Sequence, residues 1–549
     1  MNKTSAGTEA FHGRKNKMMR LLRVATLSLA MMGPLVASAH AQAQPPTATR
    51  ANTLRVVVHA NLQILDPVWT TAFISGRHGY LIYDTLYAMN SRFEPLPQMA
   101  QGHEILEGGL LYRIRLREGL RFHDGSAVRA QDVVASLRRW MSRDVMGQQM
   151  AAVTDTITAV DDQTFEIRLK ERWGMVLDAL AKPSNPPFIM PERIAQTPAT
   201  TQVTETIGSG PFIFVRDEWR PGNRVVYRRN PDYAPRSEPA DYLSGGKRAL
   251  VERVEWLYMP DHNTALAALN AGEIDYFEAP PLDFINVLAR NRNIRIVNID
   301  AIGTSGLIRP NHLYPPFNDP RARQALAHLV RQEDYMRVVV GNPQLYRPFC
   351  GSFFMCGSAN GTEVGSEPFR EPNVERARQL LREAGYNGEP IVVLQPTDRA
   401  QYNAATMVLI QALRRAGVNV DVQAMDWSTL LSRRANRNDP YQGGYHLFVT
   451  THGGPTTALP PSNTWFNTRC ERANPGWACD AELDRMVGEW AREASPEARA
   501  PILERIHRRA WEVIPYVPYG QYTQPVAVRS NVHGVLEAGI PVYWNIEKR

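Results

Sequence analysis

Cysteine is scarce in this 549-residue chain, with four in all, and no long apolar run follows the N-terminal region. Catalytic signatures are missing too. There is no G-x-x-x-x-G-K-[ST] phosphate loop and no G-x-S-x-G nucleophile elbow. His103-Glu104-Ile105-Leu106-Glu107 begins like a zinc-protease helix but lacks the second histidine, and none of the 13 histidines pairs at metal-ligand spacing with another His or Cys. Gly208-Ser209-Gly210 lacks the third glycine of a dinucleotide loop and runs into Pro211, which suits a turn into a strand. Acidic residues are numerous, and any one pair of them reads first as solvated surface charge.

Pro (40) and Gly (37) follow no period, which excludes a collagen-like chain. A hydrophobic share of 44% with 21% charged residues is globular, and the length suits two or three domains. The formal charge of +7 is concentrated at the N-terminus, where the first 43 residues hold six bases and one acid. Without them 56 bases face 54 acids, a net of +2, so charge argues for neither nucleic acid nor a membrane surface.

Those first residues read as an export signal. Bases end at Arg23, an apolar run covers 24–37, and Ala39-His40-Ala41 and Ala41-Gln42-Ala43 offer overlapping cleavage sites. Met18 offers an alternative start. The run of about 14 residues is short of the roughly 20 that span a bilayer. No cysteine lies near the cut, so a lipoprotein is not expected. Residues 1–43 are therefore a Sec-type signal peptide, and the product is periplasmic or extracellular.

The cysteines form two close pairs, Cys350/Cys356 and Cys470/Cys479. In an oxidising compartment these predict two disulfides. Three connectivities exist, and local pairing is the simplest.

Strand and helix patterns alternate along the rest. Strands are expected at 54–58, 113–117, 164–170, 251–257, 274–276, 391–394, 418–422 and 445–450, with extended segments at 516–521 and 525–528. Helices are expected at 130–140, after an Asn263 cap, at 320–330, 374–384, 400–416, 427–434, 480–492 and 496–513. Alternation of this kind implies α/β lobes with largely parallel sheets. No flexible linker separates them, which points to strand-like crossovers acting as a hinge near 299–306 and 515–522.

Five motifs in order give a resemblance. Phe122-His123-Asp124-Gly125 through Ala130-Gln131-Asp132-Val133 resembles the "F-x-D-G-x-x-x-x-A-x-D-V" signature of the family 5 extracellular solute-binding proteins, the peptide- and nickel-type receptors of ABC importers. Leu65-Asp66-Pro67 with Tyr83-Asp84-Thr85-Leu86 is similar to that family's N-terminal "L-D-P … Y-D-x-L". Gly208-Ser209-Gly210-Pro211-Phe212 with Pro221-Gly222 and Asn230-Pro231-Asp232-Tyr233 resembles its "G-T-G-P-F … P-G … N-P-x-Y". Ala268-Leu269-Asn270-Ala271-Gly272-Glu273-Ile274-Asp275 and Pro316-Phe317-Asn318-Asp319-Pro320-Arg321 resemble two later segments. Most of these residues read as scaffold rather than ligand contacts.

The resemblance implies an α/β, two-lobed periplasmic-binding-protein-like fold of type II, cluster C. Lobe I would comprise 44–302, with an extra subdomain at about 90–215. Lobe II would comprise 303–517, and 518–549 would return to lobe I. It further implies a monomer that encloses a small-molecule ligand by hinge closure and docks on the permease subunits of an ABC transporter. No cofactor, metal, catalytic residue or nucleic-acid partner is expected. A solute sensor or chaperone on the same fold, and more remotely a secreted α/β hydrolase, are the alternatives.

Ligands of α/β lobes lie beyond the carboxyl ends of strands. After strand 445–450 this rule selects Thr451, His452, Gly453 and Gly454. In the peptide receptors that loop resembles "G-W-x-x-D", whose Asp holds the peptide amino group; here Gly454 stands at the Asp position and no acid occurs between Asp439 and Glu471. Backbone N–H groups and hydroxyls there suit a neutral or anionic ligand, and peptides with free amino termini are expected to bind poorly. Asn61, Leu62, Ser305, Gly306, Trp427, Trp465 and Tyr522 are further candidate wall residues.

Overall fold

The computed structural model describes residues 52–549 apart from positions 71 and 494. The expected signal segment, 1–43, lies outside the described residues. Two mixed sheets organise the chain. The first has seven strands in the order Ile294–Val297, Val526–Arg529, Tyr276–Phe277, Thr53–Val57, Arg253–Leu257, Arg224–Arg229, Phe212–Phe214. The second has six, in the order Tyr346–Arg347, Val517–Tyr522, Thr304–Pro310, Leu447–Gly453, Ile391–Pro396, Val420–Met425. A separate antiparallel sheet joins Ala100–Leu106, Leu111–Leu116, Thr164–Leu169 and Thr154–Ala159 within the segment read as an extra unit.

The first sheet grows from Thr53–Val57, whose Leu54 and Val56 are fully buried. It pairs parallel with Arg253–Leu257 and Tyr276–Phe277. The helix His262–Ala271 makes that crossover and ends at Gly272, which takes a left-handed φ of 72°. In the second sheet Ile391–Pro396 pairs parallel with Val420–Met425 across the helix Ala400–Arg415. The expectation of largely parallel sheets is corrected. Phe212–Phe214 and Arg224–Arg229 form an antiparallel hairpin, which a short turn permits and a parallel pair does not. Thr304–Pro310 lies antiparallel to both its neighbours.

Local signals set most boundaries. Asp319 accepts from the Arg321 amide at 2.8 Å to start the helix Pro320–Ala327, and Asn373 caps Val374–Glu383 through Arg376 at 2.9 Å. The cap of His262–Ala271 is Asp261 rather than Asn263, because only a residue before the helix can reach the Thr264 amide, here at 2.7 Å. The strand expected at 445–450 runs instead from Leu447 to Gly453, held by Thr304–Pro310 along its whole length. The chain leaves the second sheet after Tyr522, not at 517, because Val517–Tyr522 is an interior strand.

The motif acids are structural. Asp66 is buried, bonds Arg139 and accepts the Val203 amide at 2.9 Å. Asp84 accepts from Lys247 at 2.7 Å and from the Tyr233 hydroxyl at 2.9 Å. No helix among the described residues is long and apolar enough to cross a membrane.

Both disulfides are present with the local connectivity, Cys350–Cys356 and Cys470–Cys479. Thiol labelling of the denatured, unreduced protein should therefore modify no cysteine, and labelling after reduction should modify four. Replacing Cys350 and Cys356 together by serine should cost about 2–3 kcal/mol in urea unfolding. Labelling of all four without reduction would contradict the pairing.

Candidate functional site

Between the two sheets the chain crosses twice, at 298–303 and at 523–525. A cavity of about 160 Å³ opens beside these crossovers. Arg77 and Tyr80 reach it from the helix Phe73–Ile82, Glu278 from beyond Tyr276–Phe277, Asp300 from the first crossover, and Gly453 from the second sheet. Its lining thus draws on both sheets and on the crossover.

Charge in the cavity is partly paired. Glu278 is 3% exposed and forms an ion pair with Arg77. The His59 amide donates to the other carboxylate oxygen at 2.6 Å, and His59 Nδ1 lies 2.7 Å from that oxygen and 2.6 Å from Arg77. Burial alone would raise the Glu278 carboxyl, but Arg77 and His59 outweigh it and hold it down at about 2. His59 is itself lowered, first by burial and then by Arg77, with Arg399 adding a smaller push from the second-sheet side. Asp300 differs. Burial pushes it up to about 6, and only the Ile302 and Gly303 amides draw it back. Among the described residues the cavity holds no cluster suited to a metal ion.

Outside the cavity lining, a separate aromatic cluster sits on the second sheet. Tyr402 donates to or accepts from Thr451 Oγ1 at 2.9 Å, and its ring sits 4.8 Å from that of Trp427. The Arg434 guanidinium lies over three rings, Trp427 at 5.8 Å, Phe448 at 5.5 Å and Trp465 at 5.4 Å. Burial lowers its affinity for the proton. Such stacking holds a cation without neutralising it.

The structure sorts the residues singled out by sequence. Gly453 lines the cavity, while Thr451, Trp427 and Trp465 lie outside its lining, against Tyr402 and Arg434. Tyr522 is buried, its hydroxyl donating to Gln401 at 3.5 Å. Others are corrected. Asn61 accepts the Gly222 amide at 2.8 Å, and Leu62 is packed in the core. Ser305 is buried within a strand, and Gly306 backs onto the Tyr519 ring, which fills the space of a side chain. His452 is not on a loop. It is a buried strand residue, 5.7 Å from the Tyr516 ring, with its proton affinity pushed down to about 3 by burial. The Thr451 and His452 amides therefore belong to a strand rather than to an open anion-binding loop.

Arg77, Glu278, Asp300, Tyr402 and Arg434 escaped the sequence reading. Glu278 was within reach, since it follows Tyr276–Phe277 just as His59 follows Thr53–Val57, and the strand-end rule applied there selects both. Arg77 and Asp300 carry no such signal.

Arg77→Ala leaves Glu278 buried beside His59 alone, and should destabilise the fold by about 3 kcal/mol in urea unfolding at pH 7. The pair's contribution is present above the ordinary carboxylate range and lost as pH falls towards 2, because the folded value is depressed. A loss under about 1 kcal/mol would show that the pair is solvated.

Comparison with known proteins places this geometry. The profile of the bacterial extracellular solute-binding proteins, family 5, matches residues 94–474, more than half the chain. A probable peptide ABC transporter periplasmic-binding protein, y4tO of Sinorhizobium fredii, is 38% identical over 500 residues, covering 90% of this chain and 93% of the relative. Among solved structures, AgaA of A. tumefaciens R10 in complex with agropinic acid superposes with a TM-score of 0.73 at 21% identity, over 90% of this chain and 99% of the other. AppA of Bacillus subtilis in complex with a nonapeptide gives 0.73 at 20% identity, with the same coverage of each chain. These solved relatives share the two-lobed fold. With sequence and architecture in agreement, the chain belongs to the bacterial extracellular solute-binding proteins, family 5.

Proposed function

We propose that this protein is the periplasmic receptor of an ABC importer and captures a small peptide-like solute between two lobes. One observation carries the reading: a cavity at the two crossovers is lined by both sheets, so a solute there touches both units at once. A ligand with more contacts in the closed form than in the open one favours closure, and one with equal contacts does not. The identical 38% to a protein named for peptide transport supports the ligand class.

Lobe I would contain the seven-stranded sheet with 90–215 as its extra subdomain, and lobe II the six-stranded sheet from 304 to 522. The hinge would be 298–303 with 523–525. Contacts between the extra subdomain and the later helices would limit opening. The Gly174 amide donates to the Ala491 carbonyl at 3.0 Å, Gln149 to that of Pro461 at 3.2 Å, and Arg499 lies 3.9 Å from Asp178. Residues 1–43 would be a cleaved Sec signal without lipid, and the mature chain would act as a monomer that docks on a permease and catalyses no reaction.

Native mass spectrometry of protein exported to and purified from the periplasm tests this. A monomer beginning near residue 44, carrying a small organic adduct that denaturation releases, is the expected result. A lipid-modified or dimeric species, or a mature chain with neither adduct nor measurable affinity for any peptide-sized solute, would overturn it.

A further inference from the structure

We propose that Arg499 is the latch of the closed receptor: it binds the extra subdomain to the second-sheet unit through bonds that form only on closure, and so sets how long a captured solute is held. The inference rests on the receptor reading above and adds the residue that holds the closed form.

Arg499 ends the first turn of the helix Pro496–Val513. Its guanidinium works in two directions. Toward its own unit, Nε donates to the Glu493 carbonyl at 2.8 Å, and the group lies 4.5 Å from the centre of the buried Trp490 ring. Toward the extra subdomain, Nη2 donates to the Gly174 carbonyl at 3.2 Å and lies 3.1 Å from Met175 Sδ and 3.9 Å from Asp178 Oδ2. The Arg499 and Asp178 side chains are 14% and 12% exposed, so solvent screens them less than a surface pair. Gly174 is gripped twice. Its carbonyl accepts from Arg499, and its amide donates at 3.0 Å to the carbonyl of Ala491, in the helix Ala481–Arg492.

The two sides of this contact are rooted in different units. Arg323 donates to the Val513 carbonyl at 2.7 Å and Trp511 to that of Gly351 at 3.0 Å, which fixes the helix Pro496–Val513 on the second-sheet unit. On the other side the Tyr80 hydroxyl donates to the Pro183 carbonyl at 2.7 Å and Asn185 to that of Thr70 at 2.9 Å, which fixes 183–185 on the first. The chain links the units at 298–303 and 523–525. Rotation about those crossovers carries Ala491 and Arg499 away from Gly174, since no nearby stretch of chain keeps them together. The bonds therefore belong to the closed form.

Latch and cavity share an element. The short helix Val176–Ala181 holds Asp178 beside Arg499, and Pro183, Ser184 and Asn185, just past its end, line the cavity. A solute touching both 183–185 and Gly453 draws together the same two units that Arg499 ties. The latch adds bonds to the closed form without touching the solute, so its weight falls on reopening and release.

Hydrogen exchange at the Gly174 amide, read by mass spectrometry, tests this. Three samples of the mature protein are compared: as purified, stripped of small molecules by unfolding and refolding, and stripped and then supplied with mixed di- to tetrapeptides. The amide should exchange slowly in whichever sample carries a solute and fast in the stripped one. In the solute-bearing sample Arg499→Ala should speed that exchange about tenfold, the loss expected for a charged hydrogen bond, and shorten retention of the solute on dialysis. The urea midpoint of the stripped variant should match that of the stripped wild type. If Arg499→Ala does not fold, Arg499→Lys carries the same reading, because an ammonium lacks the planar fork that reaches both the Gly174 and Glu493 carbonyls. Slow exchange in all three wild-type samples would make the contact permanent and overturn the inference alone. Exchange in the variant within about threefold of the wild type, or a lower urea midpoint of the stripped variant, would overturn it as well. Fast exchange in all three would mean that nothing closes the cleft, and would overturn both readings.

Discussion

At Gly303 the chain passes so close to Tyr522 that a Cβ would lie 2.2 Å from its carbonyl oxygen. Gly303 takes a φ of 81°, which side chains disfavour. Its own carbonyl accepts the Gly454 amide at 2.8 Å, and Gln521 donates to the Ile302 carbonyl at 2.6 Å. Three segments remote in sequence are thereby clamped together, by a backbone bond from Gly454 and a side-chain bond from Gln521: the first crossover, the end of Leu447–Gly453 and the end of Val517–Tyr522. The clamp fixes where the second sheet begins, where the first crossover ends and where the second starts. The rest of the site depends on this approach, because a side chain at 303 or 454 would force the crossover away.

Charge is handled in two ways. On the first-sheet side Glu278, Arg77 and His59 satisfy one another, so that group is built before any ligand arrives. Among the described residues Asp300 and Arg434 instead form no ion pair. Asp300 has two backbone amides, and Arg434 has three aromatic faces. Holding a charge in place without its counter-ion costs stability and preorganises a polar contact. That arrangement suits a protein whose partner comes and goes.

Much of the fold was legible because it is written locally. Asp319-Pro320, Asn373 and Gly417 mark helix ends at the positions observed, and 427–434 and 496–513 read correctly to the residue. Sheet direction was not legible, since antiparallel pairing of Thr304–Pro310 with Leu447–Gly453 joins residues more than a hundred positions apart. The site suffered most. The strand-end rule reached Gly453, which lines the cavity, yet it misjudged His452, because the strand runs on past Thr450 and turns that side chain into the core. Asp300 was invisible for a related reason. An acid in a crossover looks like any surface acid until the glycines at 303 and 454 show how tightly that crossover is held.

The central claim is that the two sheets close on a solute by rotating about 298–303 and 523–525. Small-angle scattering of the protein stripped of ligand by unfolding and refolding, then titrated with the solute it retains on purification, tests it most directly. The account predicts a radius of gyration that falls on saturation and returns when the solute is removed. An identical scattering profile in both states would contradict it, and would mean that the cavity is a fixed pocket rather than a closing cleft.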